Sequence, residues 1–161
     1  MLKSVRLLVM VWAAVLGLAA MAGRAVAAEP ACPRVDLTLV ESSASSTTRP
    51  VKLGDRTLFV RQNAITTTAD IAEIKIAGDD VETAIFIKYK PDAAARLLAA
   101  TTDHDGLKLA FVVDDEVWLA FTWQGPYGIG PDGTQLTVQH RLAQAQHLVS
   151  SVRSCSDAAA H

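Results

Sequence analysis

Apolar and polar positions alternate in several stretches between residues 57 and 138. Four stretches with this pattern are separated by Gly or Asp residues, and they comprise residues 57–61, 71–90, 107–123 and 135–138. Strict alternation is typical of half-buried β-strands, and short turns join antiparallel neighbours. Gly78 and Asp114 mark two such turns, so residues 71–90 and 107–123 are each predicted to form a β-hairpin.

Two further segments repeat their apolar side chains with helical spacing. The first opens on Pro91 and Asp92, residues that favour a helix N-terminus, and continues through Leu97. The second runs from about residue 139 to residue 153 and carries one apolar stripe, formed by Leu142, Ala145, Val149 and Val152. Strands dominated by hairpins, together with two long helices, predict an α+β fold. We expect one mainly antiparallel sheet with the two principal helices packed on one face.

The N-terminus carries the three zones of a secretory signal. Lys3 and Arg6 precede an apolar run over residues 7–22, and small residues follow, with cleavage predicted after Ala27 or Ala28. The alternative is an uncleaved membrane anchor, but such a helix usually needs about 20 apolar residues. The exported chain is therefore predicted to be periplasmic or secreted, with no integral membrane segment after cleavage.

The rest of the chain is expected to hold one compact domain. Residues 29–56 are predicted to form an N-terminal strand, near residues 35–40, and a Ser/Thr-rich linker over residues 42–50. Residues 57–155 are assigned to the α+β domain, and residues 156–161 to a flexible tail.

Charge excludes two classes of partner. The signal contributes three of the 15 basic residues and none of the 17 acidic ones, so cleavage moves the formal charge from −2 to −5. Binding to nucleic acid or to anionic lipid depends on clustered Lys and Arg, and the sequence has no such stripe. Neither nucleic acid nor an anionic membrane surface is expected as a partner.

The two cysteines, Cys32 and Cys155, lie near opposite ends of the exported chain. In an oxidising compartment such a pair predicts one disulfide that ties the termini together. The spacing does not match a C-x-x-C redox motif.

Candidate catalytic residues have simpler structural explanations. The run Asp114-Asp115-Glu116 fits a hairpin turn, and His104 has no second histidine at helical spacing to share a metal. The Gly-rich loop over residues 125–133 leads into a strand, whereas phosphate loops lead into a helix. We therefore predict no catalytic site, no metal site and no cofactor, and a hydrolase-like enzyme is the least favoured function.

Aromatic residues give the strongest indication of a binding surface. If Val117, Leu119 and Phe121 face the core, Trp118 points the other way, close to Tyr127 and Ile129 in the neighbouring loop. We predict that Trp118, Tyr127 and Ile129 contact a partner, since apolar aromatic patches mark such sites. The alternative is that a neighbouring helix or loop covers Trp118.

Six segments follow one another over about residues 66–152, namely residues 66–71 (TTTADI), 84–87 (AIFI), 95–102 (ARLLAATT), 109–117 (LAFVVDDEV), 135–137 (QLT) and 145–148 (AQHL). In sequence and in order they resemble the first periplasmic domain of the protein-export factor SecD, in particular its head subdomain. The resemblance implies a periplasmic domain that contacts polypeptide emerging from the translocon. Asp115 stands where the family usually has glycine.

These observations favour a non-enzymatic exported binding module that contacts polypeptide or an envelope protein partner during export. The alternative is a small secreted inhibitor or structural accessory protein, whose acidic surface would occupy a basic cleft. The sequence leaves the oligomeric state open.

Overall fold

The computed structural model describes residues 32–102, 104, 106–124, 129–130 and 133–158. The predicted signal, residues 1–28, and the predicted contact residue Tyr127 lie outside these ranges. None of the helices within them has the length and apolar character needed to span a bilayer. The elements in chain order are β1 (Val35–Glu41), β2 (Thr48–Leu53), β3 (Arg56–Arg61), a 3₁₀ turn (Thr68–Asp70), β4 (Ile71–Gly78), β5 (Glu82–Tyr89), α1 (Pro91–Thr101), β6 (Lys108–Val113), β7 (Glu116–Thr122), β8 (Ile129–Gly130), β9 (Gly133–Gln139) and α2 (Leu142–Ala158).

One group of strands closes into a small barrel in the order β1-β3-β2-β7-β6. Neighbouring strands run antiparallel except β2 and β7, which are parallel and pair at Lys52 and Glu116. The barrel interior contains a small apolar cluster to which β2, β3, β6 and β7 contribute, namely Val51, Val60, Ala110, Val112 and Val117.

The second group is a four-stranded antiparallel sheet in the order β4-β5-β9-β8. One face of this sheet, the outer side of the barrel strands β1 and β6, and one face of each helix together enclose the main core. Its buried members include Leu37, Ile74, Ile85, Ile87, Leu97, Leu109, Phe111, Leu136, Leu148 and Val152. Strand β6 therefore lies between the two apolar clusters and is buried on both faces.

The structure confirms the α+β fold class and both predicted hairpins. It also contains the predicted disulfide between Cys32 and Cys155, whose Cα atoms lie 5.8 Å apart. The expected single sheet is wrong, because the hairpin β6–β7 belongs to the barrel and the hairpin β4–β5 belongs to the other sheet.

The predicted linker and tail also need correction. Residues 48–50 belong to β2, where Thr48 is buried and Pro50 pairs with Phe59 of β3. Strands β1 and β2 are thus parts of the barrel, so the folded domain begins before residue 57. At the other end, α2 continues to Ala158, through the first three residues of the predicted tail.

The β6–β7 turn has the tight geometry of a two-residue hairpin. Asp114 and Asp115 both adopt positive φ angles, 48° and 66°, which Asp tolerates better than most side chains. Asp114 Oδ1 accepts the backbone N–H of Arg34 at 2.8 Å, and the Asp115 carbonyl oxygen accepts that of Lys52 at 3.0 Å. Asp115 can stand where a glycine was expected because Asp tolerates its positive φ angle.

A charged cluster lies beside this turn. Asp36 of β1 is only 2% exposed, and one of its carboxylate oxygens accepts from Arg34 Nε at 2.8 Å and from Arg49 Nη2 at 2.7 Å. Arg49 also pairs with Asp115. Since a buried carboxylate is costly without partners, these arginines tie β1, β2 and the β6–β7 turn together.

Candidate functional site

Trp118 occupies a β-bulge in strand β7. Leu119 pairs with Phe111 of β6 and Val117 pairs with the next residue, Val112, so Trp118 has no residue opposite it. A bulge shifts the alternation by one position. Consequently Val117 belongs to the cluster inside the barrel, while Leu119 packs against the main core. The prediction that Val117 and Leu119 share one face is therefore wrong.

The Trp118 side chain is half-buried. It is therefore neither fully exposed nor fully covered by a neighbouring helix or loop, the two alternatives that the sequence leaves open. Its ring meets that of Phe111 edge to face, with centroids 6.3 Å apart and planes at 78°. The guanidinium carbon of Arg141 lies 5.2 Å from the centroid of the Trp118 ring, within the range of a cation–π interaction. The indole thus packs against the main core, Arg141 covers another part of it, and only a minor part stays exposed.

Arg141 reaches Trp118 because the chain changes direction between β9 and α2. The preceding residue, His140, has a positive φ angle of 52°, which is uncommon for a residue other than glycine. Arg141 Nη2 donates to Glu116 Oε1 at 2.7 Å, and the side chains of Arg141 and Glu116 are 25% and 51% exposed. Glu116 begins strand β7, two residues before Trp118.

One edge of strand β7 is paired along only part of its length among the described residues. Its neighbour β2 pairs with it at Glu116, and from Leu119 to Thr122 the strand pairs with β6 only. Ala120 and Thr122 are exposed on this part of the strand. Unpaired backbone N–H and C=O groups at a sheet edge can accept an additional extended chain.

The sequence predicts only part of this arrangement. The structure brings Trp118 together with Arg141 and Glu116, which are not among the predicted contact residues. The backbone of Ile129 begins β8 and pairs with Thr134 in the other sheet. The bulge that positions Trp118 leaves no mark in a single sequence, because it is defined by register against β6.

The described residues contain further polar features away from Trp118. A shallow cavity of about 430 Å³ near the β1–β2 connection is lined by Glu41, Ser43, Ser45, Thr47, Arg61 and Asn63. Its charged pair is internal, since Arg61 Nε donates to Glu41 Oε1 at 2.6 Å. His104 Nδ1 lies 2.6 Å from the carbonyl oxygen of Thr102. In the part of the chain that the structure describes, His, Cys, Asp and Glu side chains form no cluster of three or more that could hold a metal ion.

Among the described residues, four titratable groups have pKa values shifted by the fold, namely Asp70, Glu73, Asp79 and Tyr89, and the two that lie next to the core are Tyr89 and Asp70. Burial raises the pKa of Tyr89 to about 12, although a hydrogen bond with Thr66 opposes the shift. At Asp70, desolvation raises the pKa, but hydrogen bonds from Arg96 and Thr67 outweigh it, so the pKa lies below its usual 3.8. Asp70 closes the 3₁₀ turn before β4, and Tyr89 ends β5 in the main core. Both shifts have structural causes.

Neither a protein-family model nor a curated protein sequence matches this chain. Solved structures do match it in fold, and two of them are SecDF structures. The first is SecDF in a super-membrane-facing form, with a TM-score of 0.53 and 16% sequence identity over 75% of this chain and 18% of that chain. The second, SecDF described as a membrane component that enhances protein export, has a TM-score of 0.52 and 16% identity over 75% of this chain and 62% of that chain.

The fold is SecD-like. The chain spans less than two thirds of either SecDF structure, and at 16% identity the likeness concerns the fold alone. The finer match to the head subdomain of the first periplasmic domain stays a prediction.

Proposed function

We propose that this chain is a non-enzymatic module exported to the periplasm, similar to the SecD head subdomain, that contacts polypeptide or an envelope protein during export. The observation that carries the proposal is the partly exposed Trp118 on a bulged strand, one edge of which is unpaired from Leu119 to Thr122 among the described residues. The disulfide between Cys32 and Cys155 supports an oxidising compartment, since such bonds are rare in the cytosol.

Trp118 has the properties of an interaction anchor. Tryptophan is enriched among the residues that dominate binding energies, because its large apolar ring is desolvated on contact while its shape stays rigid. The packing of Trp118 against Phe111 fixes its orientation before any partner arrives. A fixed aromatic surface beside a strand edge that is unpaired in the described part of the chain suits a partner that arrives unfolded. Tyr127 and Ile129 remain predicted members of this surface.

Photo-crosslinking in the living envelope tests the proposal. A photoreactive amino acid is placed at Ala120, which is exposed on β7. A matched control carries it at Leu98, which is 54% exposed on α1. We expect the probe at Ala120 to crosslink to many different polypeptides. The probe at Leu98 should give fewer crosslinks.

Two results would redirect the conclusion. A single stoichiometric folded partner at Ala120 would support the secreted inhibitor or accessory protein instead. Equal crosslinking from both positions, or an unchanged pattern after Trp118, Tyr127 and Ile129 are all replaced with alanine, would contradict the proposed surface.

A further inference from the structure

Two backbone irregularities converge on the ion pair that Arg141 forms with Glu116. The β-bulge reorients Trp118, and the positive φ angle of His140 directs Arg141 toward it from the end of β9. A non-glycine residue in the left-handed region is strained. An exposed ion pair contributes little to stability, so stability alone gives a weak reason for this arrangement.

The guanidinium of Arg141 is suited to exchange one carboxylate for another. Its Nη2 donates to Glu116, and its central carbon lies 5.2 Å from the centroid of the Trp118 ring. A guanidinium has five N–H donors, so the bond to Glu116 leaves others that can reach a second carboxylate. Because Glu116 is about half exposed, little burial would be lost if it left Arg141.

The geometry next to this pair fits an extended polypeptide. Strand β7 continues from Leu119 to Thr122 with one edge unpaired among the described residues. A chain that added itself as a strand here would run its side chains past the accessible part of Trp118. Main-chain hydrogen bonds provide affinity in such complexes, and side-chain contacts provide selectivity.

We propose that an extended polypeptide segment binds along the edge of β7 that is unpaired among the described residues, and that Arg141 binds a carboxylate of this segment. A neighbouring apolar side chain of the segment contacts Trp118. Glu116 holds Arg141 in place while the site is empty, and the carboxylate of the segment replaces it. The inference rests on the proposed function and adds a substrate class, namely polypeptide with an acidic residue beside an apolar one. Arg141 is thus a specificity-determining residue.

Peptide binding to the full exported chain tests this assignment. Two valine-rich peptides that differ only in a central Glu or Gln are titrated against the wild type. The Glu peptide is expected to bind about three- to tenfold more tightly than the Gln peptide. This is the range expected for a hydrogen bond between charged groups that are exposed or half-buried. Arg141→Gln should remove this preference, and Glu116→Gln should strengthen binding of the Glu peptide about threefold because the internal competitor is gone.

Controls separate this inference from the proposed function. Arg96→Gln, at an exposed ion pair with Asp70, should leave the preference unchanged. A Glu peptide with N-methylated backbone should bind weakly, because it cannot pair with a strand edge; equal binding of that peptide would overturn the extended mode. Trp118→Ala should weaken both peptides.

The possible failures are distinct. If the wild type binds both peptides equally and Trp118→Ala weakens both, the assignment of Arg141 is wrong and the proposed surface stands. Retention of the Glu preference in Arg141→Gln would also overturn the assignment. If neither peptide binds the wild type, the proposed function itself fails.

Discussion

Removing the disulfide should lower stability without changing the folded structure. Cys32 lies before β1, and Cys155 lies near the end of α2, 123 residues further along the chain. For a closed loop of this length, the loss of chain entropy in the unfolded state corresponds to about 5 kcal/mol, although measured values are usually about 2–4 kcal/mol. The apolar anchors of α2, from Ala145 to Val152, precede Cys155, so the core contacts do not depend on the bond.

The perturbation is the double variant Cys32→Ser/Cys155→Ser, compared with the oxidised wild type by urea unfolding. We expect the variant to remain folded, with unchanged near-UV circular dichroism, and to lose about 2–4 kcal/mol of unfolding free energy. Its m-value should rise, because the unfolded chain without the crosslink exposes more surface. Wild type treated with reductant is the control and should match the variant.

Two results would refute this reasoning. Equal stability of the variant and the oxidised wild type would show that loop closure contributes nothing here. Loss of near-UV circular dichroism in the variant would show instead that the bond holds the core together. Mass spectrometry of the non-reduced protein should first find no free thiols, because two would contradict the pairing itself.

The remaining predictions concern burial and backbone geometry. Folding raises the pKa of Tyr89 from 10.0 to about 12, so the protonated phenol contributes its full share to the free energy of unfolding below about pH 10. That free energy should fall by about 3 kcal/mol as the pH rises toward 12. In Tyr89→Phe, urea unfolding should show a smaller fall over the same pH range. Arg49→Met removes one of two guanidinium partners of the buried Asp36 and should cost about 3 kcal/mol in the same assay. Gly133→Ala should cost at least about 1–3 kcal/mol, because φ is +117° and a Cβ would overlap the carbonyl oxygen of Ile87.

Each of these predictions has a matched control. Arg61→Met breaks an exposed pair with Glu41 and should cost less than about 1 kcal/mol. Gly54→Ala also has a positive φ but meets no neighbouring atom, so it should cost less than Gly133→Ala. Equal losses of unfolding free energy in Arg49→Met and Arg61→Met would contradict the role given to burial. Equal losses in Gly133→Ala and Gly54→Ala would contradict the role given to close backbone approach. Tyr89→Phe with the same alkaline loss as wild type would assign that loss to other groups.

The hairpins and helices could be predicted because their signals are local. Ile85, Ile87 and Tyr89 alternate on one face of β5, and the turn residue Gly78 precedes them. Pro91 marks the start of α1 where the structure has it. In each case propensity, periodicity and turn chemistry lie within a few consecutive residues, so no distant contact is needed to interpret them.

The division into two sheets depends on contacts between distant segments. Strand β1 pairs with β6, so that Leu37 lies opposite Phe111, and no local pattern specifies this pairing. One signal was nevertheless present: Leu109–Val113 is apolar at every position, which is typical of a strand buried on both faces. The structure places this strand between the barrel interior and the main core.

Only one residue of the candidate site, Trp118, could be predicted from the sequence. Trp118 stands out as an aromatic residue between apolar strand positions. Its neighbours Arg141 and Glu116 could not be found, because a bulge in β7 and the unusual φ angle of His140 bring them together. Both features depend on register and backbone conformation, which a single sequence does not record.

The central claim is that the surface around Trp118 binds unfolded polypeptide. Fluorescently labelled casein, an unfolded polypeptide, is titrated with the wild type, with Trp118→Ala and with Phe86→Ala, and fluorescence anisotropy reports binding. Phe86 is the control because it is an aromatic residue, 40% exposed, on the outer face of the other sheet. We predict about tenfold weaker binding for Trp118→Ala and unchanged binding for Phe86→Ala. Unchanged binding in Trp118→Ala, with its fold intact by circular dichroism, would contradict the account.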